Sequence, residues 1–162
     1  MSGAINAKTR AAVLQVAQWQ EGVVEMPSNS NKVKYNTAYY GREVSGDAYK
    51  WCMVFIWWVF REAGFNLFKT ASCSTFVRQY KSHSPGQVVT SGFQPGDIVF
   101  FDFSGKRSKT EHAGIVVGVV GNTVLTAEGN TGTGNDANGG AVMARRRNVG
   151  LITCAIRPKY PD

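Results

Sequence analysis

The chain is 162 residues long, close to the ~150 residues of one average domain. Hydrophobic residues make up 43% of it and charged residues 18%, so it can bury a sizeable core and is unlike a disordered polypeptide. Its 18 basic and 11 acidic side chains give a formal net charge of +7, which favours anionic partners such as nucleic acid, acidic lipid or an acidic wall polymer. These numbers predict one compact domain over residues 1–162.

The cysteines and the apolar runs limit where the protein can work. Cys52, Cys73 and Cys154 cannot all pair with one another, and their spacing fits neither a zinc site nor a dense disulfide framework. We assign Cys73 and Cys154 to the core or to strands and leave them unpaired. No apolar run approaches the ~20 residues that span a bilayer, so no membrane insertion is expected. The N-terminal segment lacks a small-x-small cleavage signal, which predicts synthesis in the cytoplasm without a signal peptide.

The first half of the chain is helical in pattern. Residues 26–50, rich in Asn, Ser, Gly and Tyr, show no sustained period and predict a long surface loop with few regular elements. The segment after it is apolar on nearly every side and predicts a buried central helix whose first turn holds Cys52. Helical spacing predicts three helices, from about Ala7 to Gln20, from Trp51 to Gly64 and from Thr70 to Lys81.

The second half consists of short β-branched runs separated by Gly, Asn and Ser clusters. Helices followed by strands predict an α+β fold, with the N-terminal helices packed on a mostly antiparallel sheet of about five to six strands. The predicted strands are Gly96 to Phe101, His112 to Val120, Thr123 to Gly129, Ala141 to Arg147 and Leu151 to Arg157.

Cys52 and His112 are the candidate reactive groups. A helix N-terminus presents unpaired N–H groups and a positive dipole end, which stabilise a thiolate. From the helix alone, Cys52 is better explained as a small buried hydrophobe. His112 follows a polar loop and begins a predicted strand, where its ring can reach the edge of the sheet. His83, between two serines and beside a proline, is assigned to an exposed turn.

A thiol and an imidazole also need a third group that orients the ring. Glu128 and Asn130 flank Gly129 at the end of the strand after His112, and a hairpin would bring them near His112. Alone, Glu128 is more often a solvated carboxylate and Asn130 a turn residue. Together with Cys52 and His112 they follow the order of a papain-like site, with the nucleophile on an early helix and the base on a later sheet.

Four motifs in this order resemble the cysteine, histidine-dependent amidohydrolase/peptidase (CHAP) family of bacterial wall hydrolases, and the resemblance covers nearly the whole chain. It implies a papain-like fold that cleaves an amide bond in peptidoglycan, either between muramic acid and L-alanine or within the stem peptide or cross-bridge. The lead-in before the site is similar to that of many phage and prophage lysins. The motifs are Trp51-Cys52, Pro95 to Phe101, His112 to Gly118 and Glu128 to Thr131.

The resemblance also implies roles for the site residues. Cys52 would be the nucleophile, His112 the general base and acid, Glu128 the orienting group and Asn130 a further polar support. Asp97 is assigned to local turn chemistry before a strand.

We expect no cofactor and no metal. Some relatives hold calcium in the loop before the nucleophile, but that loop here offers only the carboxylates of Glu43 and Asp47. Two carboxylates are few for a cation that takes six to eight oxygen ligands.

Bacterial peptidoglycan is the expected substrate, reached after release by lysis or through a holin-made opening. We expect a monomer with no separate wall-binding domain. Arg145–Arg147 are expected to attract anionic wall polymers, with one of the three side chains pointing inward. The alternative is a catalytically inactive module that binds a wall polymer through its basic face. Nucleic acid is not expected, because the aromatics of residues 51–60 lie at core-like helical spacing instead of on an open platform.

Overall fold

The computed structural model describes residues 7–161, in which four α-helices precede a six-stranded antiparallel sheet. This confirms the predicted α+β class. The helices are α1 (Arg10–Trp19), α2 (Lys34–Tyr40), α3 (Cys52–Glu62) and α4 (Cys73–His83). The strands are β1 (Val88–Val89), β2 (Ile98–Phe101), β3 (His112–Val120), β4 (Thr123–Thr131), β5 (Ala141–Asn148) and β6 (Ile152–Ile156).

Helix α3 is the centre of the core and packs against α1, α2, β3 and β4. Most of its side chains are buried, as expected for a helix that is apolar on nearly every side. The chain leaves it at Gly64, whose φ of 95° is the left-handed conformation that glycine adopts readily. The predicted central helix with a glycine stop is therefore confirmed, and Cys52 is its first residue.

The strands lie in the order β1-β6-β2-β3-β4-β5, and every neighbouring pair is antiparallel. Ile115 of β3 pairs with Ala127 of β4, and both belong to the core under the helices. Because side chains alternate along a strand, His112 and Glu128 lie on the opposite face. A smaller apolar cluster that includes Phe101 covers that face.

Gly129 brings the central helix close to β4. A Cβ atom at this position would lie 2.5 Å from Cβ of Phe55, so only a residue without a side chain fits between strand and helix. Close packing of α3 on β4 places the beginning of the helix beside the end of the sheet where β3 begins. The thiol and the imidazole are thus brought together by backbone packing.

The segment before the central helix contains more regular structure than predicted. Helix α2 occupies Lys34–Tyr40, and a 3₁₀ turn follows at Asp47–Tyr49. The helix buries Tyr35 and a polar neighbour, Asn36, whose amide donates to the carbonyls of Asn31 and Tyr49. A short helix whose buried side includes an amide shows no apolar period, so its sequence resembles a loop.

Capping residues account for the helix boundaries. Thr9 accepts a hydrogen bond from the Ala12 N–H and starts α1, while Ser72 accepts one from Thr75 and starts α4. Both helices therefore begin three residues later than their periodicity predicted. None of the helices in residues 7–161 has the length and apolar content needed to cross a bilayer.

Candidate active site

Cys52 lies at the N-terminus of α3 with its thiol largely buried, since only 8% of the residue is exposed. Its Sγ lies 3.7 Å from Sγ of Cys73, which is the first residue of α4. Two helix N-termini thus present their first side chains to each other. The contact joins residues from separate elements, and the cysteine spacing in the sequence does not indicate it.

His112 begins β3 and is completely buried. Its Nε2 lies 2.9 Å from Oε1 of Glu128. The ring packs against Phe101 and Phe103, whose centroids lie 6.0 and 5.9 Å from its own. Its Nδ1 is buried and has no hydrogen-bond partner within residues 7–161. One nitrogen of the ring is therefore fixed and the other is left for a reacting group.

Glu128 is held on both carboxylate oxygens. Arg147 donates to Oε2 through Nε at 2.9 Å and to Oε1 through Nη2 at 2.6 Å, a bidentate contact. The hydroxyl of Thr126 also donates to Oε2. Gly114 makes room for the side chain, because a Cβ there would lie 2.9 Å from Cγ of Glu128. The carboxylate therefore has little freedom to turn away from His112.

These contacts shift the protonation of the charged groups. Burial alone would raise the pKa of Glu128, but hydrogen bonds from Arg147 and His112 lower it to about 2. Burial alone would lower the pKa of His112, but its interactions with Cys52 and Glu128 raise it to about 9. The hydrogen bond from Cys73 lowers the pKa of Cys52 well below that of an ordinary thiol, and His112 adds to this against the effect of burial. The site thus favours a thiolate beside an imidazolium.

The side chain of Asn130 is hydrogen-bonded to residues of the loop that follows β4. The φ of Asn130, 56°, is left-handed, at an irregularity in the pairing of β4 with β5. Its side-chain amide donates to Oδ1 of Asn138, and its Oδ1 accepts from the Gly140 N–H, each at 3.0 Å. The expectation that residues 128 and 130 project to the same side assumed a regular strand. The structure instead joins Asn130 to residues 132–140, which we call the glycine-rich loop.

The glycine-rich loop forms part of a cleft over the site. Arg145 and Arg147 both donate to Oδ1 of Asp136 in this loop, at 2.9 and 2.8 Å. Arg147 therefore joins the buried carboxylate Glu128 to the loop. The cleft has a volume of about 590 Å³ and is lined by Lys50, Cys52, Phe103, Glu111 and residues 135–138.

Comparison with protein-family models gives a match to the CHAP domain over residues 44–130, more than half of the chain. The chain belongs to the CHAP family. This confirms the family resemblance of its sequence motifs. The matched residues include Cys52, His112, Glu128 and Asn130.

Solved structures with the fold of this CHAP chain include those of an endolysin, LysIME-EF1, and of Ly7917. The endolysin LysIME-EF1 is 14% identical with a TM-score of 0.60, over 94% of this chain and 65% of its own. Ly7917 is 18% identical with a TM-score of 0.53, over 93% and 62%. A structure of Ly7917 "with the hydrolyzing product of MDP" gives a TM-score of 0.51 at 18% identity, over 93% and 63%. The chain spans less than two thirds of these chains, and no curated protein matches it.

Other residues singled out from the sequence take structural positions in this CHAP domain. Asp97 is buried and accepts hydrogen bonds from the Gln94 N–H and the Arg157 guanidinium, in agreement with its turn assignment. His83 is exposed at the end of α4. Glu43 pairs with Lys32 on the surface. In the part of the chain that the structure describes, no group of three or more His, Cys, Asp or Glu side chains could hold a metal ion.

Sequence reasoning missed Cys73 and the specific role of Arg147. The arginine run did predict one inward-pointing side chain. Because side chains alternate along a strand and Arg146 is exposed, Arg145 and Arg147 are the candidates for it. The β4–β5 register pairs Arg147 with Val124, on the same face as Glu128, and only the side-chain contact shows that Arg147 reaches Glu128. For Cys73 no sequence signal points to Cys52, because the two are 21 residues apart and lie on different helices.

Proposed function

We propose that this chain is a cysteine-dependent peptidoglycan hydrolase that cleaves an amide bond by nucleophilic attack of Cys52. The observation that carries the proposal is the arrangement of His112, with Nε2 held by Glu128 and Nδ1 left for the thiol at the start of α3. Membership of the CHAP family and the endolysin fold support peptidoglycan as the substrate. The Ly7917 structure with a hydrolysis product of MDP adds to that support.

In the acylation step, the Cys52 thiolate attacks the amide carbonyl and a C–S bond forms. The backbone N–H of Cys52 and the positive end of α3 stabilise the negative charge that develops on the carbonyl oxygen. The His112 imidazolium then gives its Nδ1 proton to the leaving amine as the C–N bond breaks. The products are a free amine and a thioester on Cys52.

In the deacylation step, neutral His112 takes a proton from water, and the resulting hydroxide attacks the thioester carbonyl. The C–S bond breaks and the thiolate leaves, so the carboxyl product is released. The imidazolium then again faces the Cys52 thiolate, and the proton balance of the cycle is closed. Peptide hydrolysis therefore needs only water besides the residues of the site.

Glu128 and Asn130 act as positioning residues in this proposal. Glu128 fixes the ring and its tautomer through Nε2, and Arg147 and Thr126 fix Glu128 in turn. Asn130 holds the glycine-rich loop through Asn138 and Gly140, and with it one wall of the cleft. Its support of the reaction is thus indirect.

The cleft suits an extended peptide stem in which charges of both signs occur. Its volume of about 590 Å³ is in the range of small-ligand sites. Lys50 contributes a positive group, while Glu111 and Asp136 contribute negative ones. The net charge of +7 and the exposed side chain of Arg146 would add a general attraction to anionic wall polymers.

Action on the wall after release from the cell, by lysis or through a holin-made opening, is part of the same proposal.

The test is digestion of purified peptidoglycan by the wild type and by Cys52→Ala under reducing conditions, with and without calcium. Cys154→Ala is the matched control, because Cys154 is a buried cysteine on β6, outside the site. We expect the wild type and the control to release fragments with new amino termini, and Cys52→Ala to release none. If no fragments appear from walls of several cross-link types, the hydrolase proposal fails and wall-polymer binding becomes the better account.

The fragment masses also decide which bond is cut. Intact stem peptides that start with L-alanine and are free of the lactoyl group identify an N-acetylmuramoyl-L-alanine amidase. Shortened stems or opened cross-bridges identify an endopeptidase. Groove shape, not the catalytic groups, decides between these activities.

A further inference from the structure

A second thiol lies beside the proposed nucleophile, and the hydrolytic mechanism makes no covalent use of it. Sγ of Cys73 is 3.7 Å from Sγ of Cys52, which brings the two sulfurs into van der Waals contact. Each cysteine is the first residue of its helix, and each residue is only 8% exposed. The reduced pair is thus held in a fixed arrangement by two packed helices.

We propose that Cys52 and Cys73 form a reversible disulfide when the protein meets hydrogen peroxide or a related two-electron oxidant, and that this modification switches the hydrolase off. The formation of the disulfide does not depend on wall hydrolysis. Its effect on activity rests on the proposed function, because it removes the nucleophile.

The required movement is small. A disulfide has a sulfur–sulfur distance of about 2.05 Å, so the two sulfurs must close from 3.7 Å to that length. Side-chain rotation supplies most of such a shift when two thiols already touch. Loop residues 65–72, which join α3 to α4, can take up the remainder, because they contain no regular element.

The two cysteines have different roles in the reaction. Cys52 lines the cleft and can meet a small oxidant, whereas Cys73 is not among the lining residues. Cys52 is also the more acidic thiol, because the hydrogen bond that lowers its pKa raises the pKa of Cys73. A thiolate attacks peroxide and a thiol does not, so Cys52 is oxidised first and Cys73 is the resolving cysteine.

The steps balance in atoms and electrons. The Cys52 thiolate attacks one peroxide oxygen, the O–O bond breaks, and the hydroxide released takes a proton from the His112 imidazolium to give water. Cys52 is now a sulfenic acid, oxidised by two electrons, and the peroxide is reduced. Cys73 then attacks the Cys52 sulfur, the S–S bond forms, and the S–O bond breaks. The hydroxide that leaves combines with the Cys73 proton as a second water.

The experiment treats the reduced protein with a small excess of hydrogen peroxide and follows intact mass, peptide mapping without reduction, and wall hydrolysis. Cys73→Ala and Cys73→Ser are the test variants, and Cys154→Ala is the control. In the wild type and the control, we expect the loss of two hydrogen masses and a cross-linked peptide pair that contains Cys52 and Cys73. Activity should fall in proportion to this species and return to its untreated level with dithiothreitol.

In both Cys73 variants we expect oxidation of Cys52 to continue to the sulfinic acid, with a gain of two oxygen masses that dithiothreitol does not reverse. Each variant is compared with its own untreated sample, and circular dichroism checks that it is folded. Sulfinic acid in the wild type at the rate seen in the Cys73 variants would overturn the proposal. So would a cross-link that contains Cys154.

The mass data separate this proposal from the proposed function. If the disulfide forms but the reduced protein cleaves no wall, the modification site stands and the hydrolase fails. If the wall is cleaved but peroxide gives no cross-link, the hydrolase stands and the switch fails. The wild-type mass measurement decides the disulfide even if neither variant folds.

Discussion

The two nitrogens of the His112 ring lie in very different surroundings. On the Nε2 side, Glu128 accepts hydrogen bonds from the ring, Arg147 and Thr126, so that both carboxylate oxygens are occupied. On the Nδ1 side there is no hydrogen-bond partner in residues 7–161, and Cys52, whose Sγ lies 3.7 Å from that of Cys73, interacts with the ring through its charge. The orienting side is fixed before substrate arrives, and the reacting side keeps its bonding capacity for the substrate.

The largest expected effect comes from breaking the reacting side. Cys52→Ala, His112→Ala and the double variant should each lower kcat of wall hydrolysis by about 10⁶-fold, since residues that act as one unit are not additive. The measurement is release of soluble fragments from purified walls. Losses that multiply in the double variant would show that the two residues do not act together.

The next largest effect comes from breaking the orienting side. Glu128→Gln leaves buried Arg147 without its bidentate partner and should destabilise the fold by about 3 kcal/mol. This is near the low end of the loss expected when one partner of a buried ion pair is removed, because Asp136 still contacts Arg147. Urea unfolding measures this loss. The control is Glu43→Gln, which removes an exposed pair with Lys32 and should cost about 0–1 kcal/mol. Equal losses in the two variants would contradict a special role of the buried network.

The pH dependence separates the two sides further. The pKa of His112 is raised from its ordinary 6.5 to about 9, so its stabilising contribution is complete below pH 6.5 and is lost as the pH rises through 9. The pKa of Glu128 is lowered from 4.5 to about 2, so its contribution is present above pH 4.5 and is lost as the pH falls through 2. The rate of hydrolysis should fall at alkaline pH, because His112 loses its proton there. Activity that rises through pH 9 would disagree with an imidazolium as the proton donor.

Arg147→Lys changes only the acid limb of that profile. A lysine keeps the charge but cannot reproduce the bidentate contact, so the pKa of Glu128 should rise and acid unfolding should begin at a higher pH. Circular dichroism against pH measures the midpoint, and the alkaline limb of activity serves as the internal control. An unchanged acid midpoint would mean that Arg147 does not hold Glu128 ionised.

The smallest effect is expected at the cleft wall. Asn130→Gly keeps the left-handed backbone but removes two hydrogen bonds to the glycine-rich loop, so KM should rise more than kcat falls, with about 1–2 kcal/mol lost in stability. Asn29→Gly is the matched control, because Asn29 has a φ of 63° and is exposed. If kcat falls as far as in Glu128→Gln, Asn130 acts on the reacting groups and not on the loop.

Local patterns were enough to predict the α+β order, the buried central helix with Cys52 at its start, and His112 at the start of a strand. They depend on the spacing of apolar residues and on glycine stops, which neighbouring residues determine. The position of Glu128 beside His112 also followed from sequence, because a hairpin pairs strands that are adjacent in the chain.

Tertiary structure alone decided the rest. Helix α2 has no apolar period because its buried side includes Asn36. Asn130 turns to the glycine-rich loop because β4 is irregular after Glu128, and alternation fails where pairing is broken. The contacts of Cys73 with Cys52 and of Arg147 with Glu128 depend on how separate elements pack and on strand register. Periodicity describes one element at a time, so contacts between distant elements are fixed only when the chain packs.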